Sequence, residues 1–184
     1  VITDLGLADT SCLDAAYQPT ATCVYNDLYS FGARSFTIWN AATGAVVYDS
    51  GNQFESITFQ ELGQSFNASN DDNEGDDRSD DKGPEPEAVK VEKIGDKWFA
   101  FVALERVGGI MVYNVTDPTT PSFVQYINER DFTVDAEADI EIVGDLGPED
   151  IVYIPPSDSP SGEPLLLLSN EVSGTLAVFS VTLN

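Results

Sequence analysis

The sequence writes one unit twice, and this repeat constrains the fold more than any other feature. The first copy runs Pro86-Glu87-Ala88-Val89, then Trp98-Phe99-Ala100-Phe101-Val102, then Leu104-Glu105-Arg106-Val107-Gly108-Gly109-Ile110-Met111-Val112-Tyr113-Asn114-Val115. The second runs Pro148-Glu149-Asp150-Ile151, then Leu165-Leu166-Leu167-Leu168, then Asn170-Glu171-Val172-Ser173-Gly174-Thr175-Leu176-Ala177-Val178-Phe179-Ser180-Val181. Glu87 matches Glu149, and Glu105 matches Glu171. A weaker third copy, Phe31-Gly32-Ala33-Arg34-Ser35-Phe36-Thr37-Ile38-Trp39-Asn40, falls on the Glu105–Asn114 segment without its glutamate. A short multistranded unit cannot bury its apolar face alone, so repeated units stack, as they do in propellers and related arrays.

The expectation is therefore an all-β chain of β-propeller blades, about three repeats belonging to a larger closed propeller. Residues 1–66 make the first repeat with a cysteine loop and 67–87 an acidic loop. Residues 88–146 make the second repeat with its acidic connection, and 147–184 the last. Closed propellers typically have about four to eight blades, and an open set leaves strand edges unpaired. The partners implied are the remaining blades or another copy or chain. The sequence opens on Val1 rather than Met, as a processed or excerpted chain does.

Strands are expected at Ser35–Trp39, Ala45–Tyr48, Phe54–Phe59, Val89–Ile94, Trp98–Leu104, Gly109–Val115, Ser122–Ile127, Ile151–Ile154, Pro164–Ser169 and Thr175–Leu183. No amphipathic helix is evident. The acidic stretch Glu129–Glu141 is a poor helix candidate because of its valine and isoleucine content.

Charge narrows the chemistry. The chain carries 32 acids, eight bases and no histidine, for a net charge of −24. Nucleic acid is excluded as a partner, since its phosphates are repelled at every approach, and cations or mineral are favoured. A solvated carboxylate surface also confers solubility, but that does not require the acids to cluster. Without histidine the chain lacks the commonest general base and transition-metal ligand, so zinc sites and Ser-His-Asp triads are out of reach. Oxygen chemistry remains, which suits Ca2+ or magnesium. No apolar run approaches the ~18 residues of a membrane span, so no transmembrane segment is expected. Cys12 and Cys23 read as a small disulfide loop in an oxidising compartment, with two buried thiols as the alternative. Extracellular, cell-surface or periplasmic localisation follows from the disulfide.

Five runs carry a family resemblance: Cys12-Leu13-Asp14-Ala15-Ala16-Tyr17, Phe31-Gly32-Ala33-Arg34-Ser35-Phe36, Asp80-Asp81-Lys82-Gly83-Pro84-Glu85-Pro86-Glu87, Leu104-Glu105-Arg106-Val107-Gly108-Gly109-Ile110 and Ser169-Asn170-Glu171-Val172-Ser173-Gly174. They resemble the choice-of-anchor I family, which includes mesenchyme-specific cell-surface glycoproteins and proteins labelled alkaline-phosphatase-like. The resemblance is to the C-terminal part of longer family members, and it implies an extracellular or surface-anchored β-propeller. Ala88 and Asp150 stand where the family usually has glycine.

Glu87 and Glu149 precede the first strand of their repeats, while Glu105 and Glu171 follow the middle strand. In a propeller such positions converge near the axis, where carboxylates repel one another unless a cation neutralises them. Calcium takes six to eight oxygens and needs no histidine, and Asn170 can add a carbonyl oxygen. The alternative is that each glutamate accepts backbone amides at a blade turn. Arg34, Arg106 and Lys82 are candidates for ion pairs or for an anion clamp. Asp72, Glu74 and Asp81, near Asn70 and Gly75, approximate a calcium loop without flanking helices, the alternative being a solvated flexible loop. Asn67-Ala68-Ser69 and Asn114-Val115-Thr116 are glycosylation sequons.

The favoured function is an extracellular or surface-associated, acidic, calcium-binding β-propeller with a binding or structural role. One alternative is a metal-dependent phosphomonoesterase using Arg34 or Arg106, although no nucleophile or base is identifiable and no catalytic residue is assigned. The other is a self-assembling extracellular subunit joined through open strand edges.

Overall fold

Runs of β-branched and aromatic residues, broken by turns rich in Gly, Asn and Asp, become strands in a computed structural model that describes residues 34–183. Strands β1 (Thr37–Trp39) and β2 (Val46–Asp49) form a hairpin. Asn40 closes its turn by accepting the amides of Ala42 and Thr43. Strands β3 (Pro86–Ile94), β4 (Lys97–Leu104), β5 (Ile110–Asn114) and β6 (Ser122–Ile127) make a four-stranded antiparallel meander. Strands β7 (Pro148–Ile154), β8 (Leu165–Asn170) and β9 (Thr175–Ser180) make a three-stranded one. The all-β class is as expected, and no barrel closes among the described residues.

β4 is buried on both faces, which explains its nearly unbroken apolar sequence. Phe99, Phe101 and Ala103 point toward the third sheet and pack with Ile151, Leu166 and Leu168. Ala100, Val102 and Leu104 point the other way, into a core with Phe54, Met111 and Tyr113. β3 and β7, the first strands of the two meanders, pack against each other. The outer face of the third sheet has no such cover, and Leu176 and Val178 are 61% and 56% exposed. Gly109 allows the tight return into β5. Its φ is +83°, and a Cβ there would lie 2.3 Å from the Ile127 carbonyl oxygen.

One expectation is corrected. Phe54–Phe59 is not a strand but lies inside helix α1 (Gln53–Leu62), the amphipathic helix that the sequence did not disclose. Phe54 and Thr58, one turn apart, are buried on the same face, with Ile57 and Leu62 beside them in the Phe54 core. The Thr58 hydroxyl donates to the Phe54 carbonyl at 2.9 Å. Packing of Phe54 near Phe36 and Tyr113 outweighs the β preference of the segment, and Gly63 at φ +57° ends the helix. Residues 129–141 contain turns and no helix.

The acidic loop from Asn67 to Glu85 is not a solvated tether, because all four arginines of the chain bind it or its flanks. Arg34 pairs with Glu55 of α1 at 2.5 Å and donates to the carbonyls of Ser79 and Asp81 at 2.6 and 3.0 Å. Arg78 pairs with Asp81 at 2.8 Å. Arg106 reaches Asn70 Oδ1 at 3.1 Å. Arg130, itself buried, donates to the carbonyls of Ser69 and Asp72 at 2.6 and 2.5 Å and to Asn73 Oδ1 at 2.9 Å. Its guanidinium also lies 4.5 Å from the Phe132 ring centroid. Burial pushes the Arg130 pKa down to about 10, which leaves it cationic at neutral pH. Asn67 is fully buried and donates to Glu55 Oε1 and Ser79 Oγ, so the folded protein offers no glycosylation acceptor there.

Replacing Arg130 with methionine keeps the packing but strands several buried acceptors. The expected cost is about 3 kcal/mol, lowering the melting temperature by roughly 10 °C. Limited proteolysis should then cut first between residues 67 and 85. An unchanged melt would refute this account of the loop.

Candidate metal centre

The two copies of the repeat place their glutamates by the same backbone device. Pro86 is registered with Leu104, and Pro148 with Asn170. The amide of Glu105 donates to the Glu85 carbonyl at 2.9 Å, and that of Glu171 to the Gly147 carbonyl at 2.8 Å. One step on, Arg106 N reaches Pro84 O at 3.4 Å and Val172 N reaches Leu146 O at 3.2 Å. Both ladders slip just after the Pro-Glu pair, near the positions of Ala88 and Asp150. Because β3 and β7 pack together, Glu87, Glu105, Glu149 and Glu171 lie at one end of the two sheets.

Their charges act on one another. Burial holds the Glu105 carboxyl above its usual range, partly offset by Arg106, and the negative charges of Glu87 and Glu171 raise it further. Glu149 is raised by residual desolvation and then by Glu171, Glu87 and Asp150. Arg106 Nη2 lies 3.1 Å from Glu105 Oε1. Among the described residues, no base lies within ion-pair distance of Glu87, Glu149 or Glu171.

Glu85 is the residue that sequence reasoning missed. It is 5% exposed and adopts φ +56°, where its counterpart Gly147 has φ +69°. Alignment of the two copies held this signal, since a glutamate opposite a glycine marks a position whose backbone suits glycine. Arg106 Nε donates to its carboxylate at 2.6 Å, Arg78 lies at 3.6 Å, and Lys82 also pairs with it. Carboxylate oxygens of Glu85, Glu87 and Glu105 all lie within 4.8 Å of one another. Glu85 is already paired with three cations and Glu105 with Arg106, so within this trio only Glu87 has no base at ion-pair distance.

Asn170 is 2% exposed, and its Nδ2 donates to Thr175 Oγ1 at 3.1 Å. Its Oδ1 is buried without a partner. Asp72 and Glu74 line an acidic hollow of about 600 Å³ with Asp71, Asp135 and Glu137, while Asp81 lies apart beside Arg78. The three loop residues therefore do not converge on one point. Arg34, Lys82 and Arg106 are each bonded to protein carboxylates or carbonyls rather than presented to an anion. Asn114 Oδ1 accepts the Thr116 amide at 3.0 Å. Cys12 and Cys23 lie outside the described residues.

A family model for the choice-of-anchor I domain matches residues 3–118. The chain belongs to the choice-of-anchor I family. It is also similar to Gigasin-3a of Magallana gigas, at 33% identity over 166 residues. That match covers 85% of this chain and 58% of the relative, so the chain spans less than two thirds of the curated protein it matches. No solved structure matches it. Among the described residues of this choice-of-anchor I chain, no helix is long and apolar enough to cross a membrane.

A carboxyl whose folded pKa lies above its unfolded value penalises the folded state above that folded pKa. The penalty vanishes below the unfolded value. In chelator at neutral pH, Glu105→Gln should therefore melt higher than the parent protein, because relief of desolvation and repulsion exceeds the loss of the Arg106 contact. The difference should shrink as the pH falls toward about 4. A variant that melts lower at neutral pH would show that Glu105 is a stabilising acceptor instead.

Proposed function

We propose that this choice-of-anchor I chain is part of an extracellular or surface-associated acidic β-propeller that binds calcium and serves a binding and structural role. The position of Glu87, Glu105, Glu149 and Glu171 at one end of the two sheets supports the reading. Oxygens of Glu87 and Glu105 lie within 4.8 Å of each other, the charges of Glu149 and Glu171 act on the same end, and a hard divalent cation resolves such repulsion without histidine. The propeller part of the reading is supported by two successive meanders whose first strands pack together, as blades do around an axis. It is also supported by unequal cover. Val102, Leu104 and Met111 of the second sheet are buried under α1, whereas Leu176 and Val178 of the third sheet are exposed. Remaining blades, or another copy, would cover that face. The Cys12–Cys23 bridge and an extracellular setting belong to the same reading.

A metal-dependent phosphomonoesterase would need cationic side chains open to the phosphate, and Arg34, Arg106 and Lys82 are engaged in ion pairs. The test is calcium titration of metal-free protein by calorimetry, with turnover of a phosphate monoester measured in the same samples. Saturable calcium binding without turnover is expected. Calcium-dependent turnover that disappears in Glu105→Gln would replace the binding role with a catalytic one, and absence of calcium binding would remove the cofactor.

A further inference from the structure

We propose that strand β9 pairs antiparallel with β9 of a second copy of this chain, joining the third sheets of the two copies into one six-stranded sheet. Such a dimer forms whether or not calcium binds.

β9 is the open edge of the third sheet. Alignment of the two copies places Leu176, Val178 and Ser180 on Ile110, Val112 and Asn114 of β5. Those β5 residues are registered with β6, the outer strand of the second sheet. Among the described residues, no strand takes the equivalent edge of β9. Val181 N donates to Pro164 O at 2.9 Å, one step beyond the Leu165–Ser180 pair. By alternation, Ala177 and Phe179 turn their peptide groups toward β8 as well. The N–H and C=O groups of Leu176, Val178 and Ser180 therefore point outward along the free edge.

The other strands at sheet edges carry the features that keep edges from pairing with foreign chains. β1 and β2 have only three and four residues. β3 and β7 are irregular after their Pro-Glu pairs and carry Lys90, Glu92, Glu149 and Asp150. β6 follows Pro121 and shifts register opposite Val112 and Tyr113. β9 has none of these. Its six residues keep unbroken register with β8, inside a run from Val172 to Asn184 that carries no charge.

Charge and symmetry together select a second copy as the partner. Two chains of net charge −24 repel wherever carboxylates face each other, and the uncharged β9 edge lets them approach. Val178 stands at the middle of the outward set, which makes the strand self-complementary. Across a two-fold axis Val178 meets its own equivalent, and Leu176 meets Ser180 in both directions. Val152, Leu167 and Val178 stand in register across the third sheet, and Val152 and Val178 are exposed. Pairing continues this apolar row across the axis into the same row of the second copy. Because both chains use the same patch, the assembly closes at two and does not grow into a fibre.

The test is sedimentation equilibrium of the full chain in chelator, over a range of protein and sodium chloride concentrations. A monomer–dimer equilibrium that tightens with salt is expected, since salt screens the repulsion between two acidic chains. Val178→Glu sets like charges opposite each other on the axis and should weaken dimerisation about a hundredfold or more. Val124→Glu makes the same change at an exposed residue of β6 and should leave dimerisation nearly unchanged. Hydrogen exchange of the parent protein decides the matter if Val178→Glu does not fold. The amides of Leu176, Val178 and Ser180 should be protected where the dimer forms and exchange quickly on dilution. A parent protein that stays monomeric at high salt would overturn the dimer, and slow exchange of these amides in that monomer would assign the edge to a strand of the same chain. A dimer that survives Val178→Glu, or that Val124→Glu breaks, would place the contact elsewhere and overturn the β9 pairing. Because chelator is present throughout, none of these outcomes bears on calcium binding.

Discussion

A buried carboxylate is tolerable only where opposite charge and donors surround it, and Glu85 is the point on which this structure turns. It sits on a left-handed backbone, nearly out of solvent, and meets Arg106, Arg78 and Lys82. Its carbonyl takes the Glu105 amide, so the same residue anchors the acidic loop and sets the entrance to the glutamate cluster. Removing its charge would leave three cations without their common partner. Arg130 completes the arrangement from the far side by holding the carbonyls of Ser69 and Asp72. An acidic chain with eight bases has thus placed five of them, Arg34, Arg78, Lys82, Arg106 and Arg130, around one loop.

That concentration makes the equivalent turns of the two copies unlike. The first copy of the repeat carries Glu85, Leu104 and Arg106, where the second carries Gly147, Asn170 and Val172. One copy is internally neutralised and carries a leucine buried beside Phe54, while the other offers an uncompensated carboxylate and an unpaired carbonyl. Perfect repetition would have given either two salt-bridged turns or two bare ones. The mismatch leaves negative charge without a base at the turn of the second copy, and cations fit that setting better than anions do.

Much of this was legible in the sequence because it rests on local signals. The strands from Pro86 to Asn114 and from Pro148 to Ser180 follow apolar runs separated by turns such as Gly95-Asp96 and Gly108-Gly109. The shared positions of Glu87, Glu105, Glu149 and Glu171 could be read by aligning the copies. Helix α1 was not legible, since Phe54, Ile57, Thr58 and Phe59 are good strand formers and only contact with Phe36 and Tyr113 decides their conformation. The order of the acidic loop was hidden for a different reason. Its arginine partners lie tens of residues away, and composition alone describes such a stretch as solvated.

The central claim is that calcium binds at the glutamate cluster. Crystals of the protein grown with calcium, measured at a wavelength where calcium scatters anomalously, test it most directly. The account predicts an anomalous peak beside Glu87 and Glu105. A peak in the hollow of Asp72 and Asp135, with none at the glutamate cluster, would contradict it.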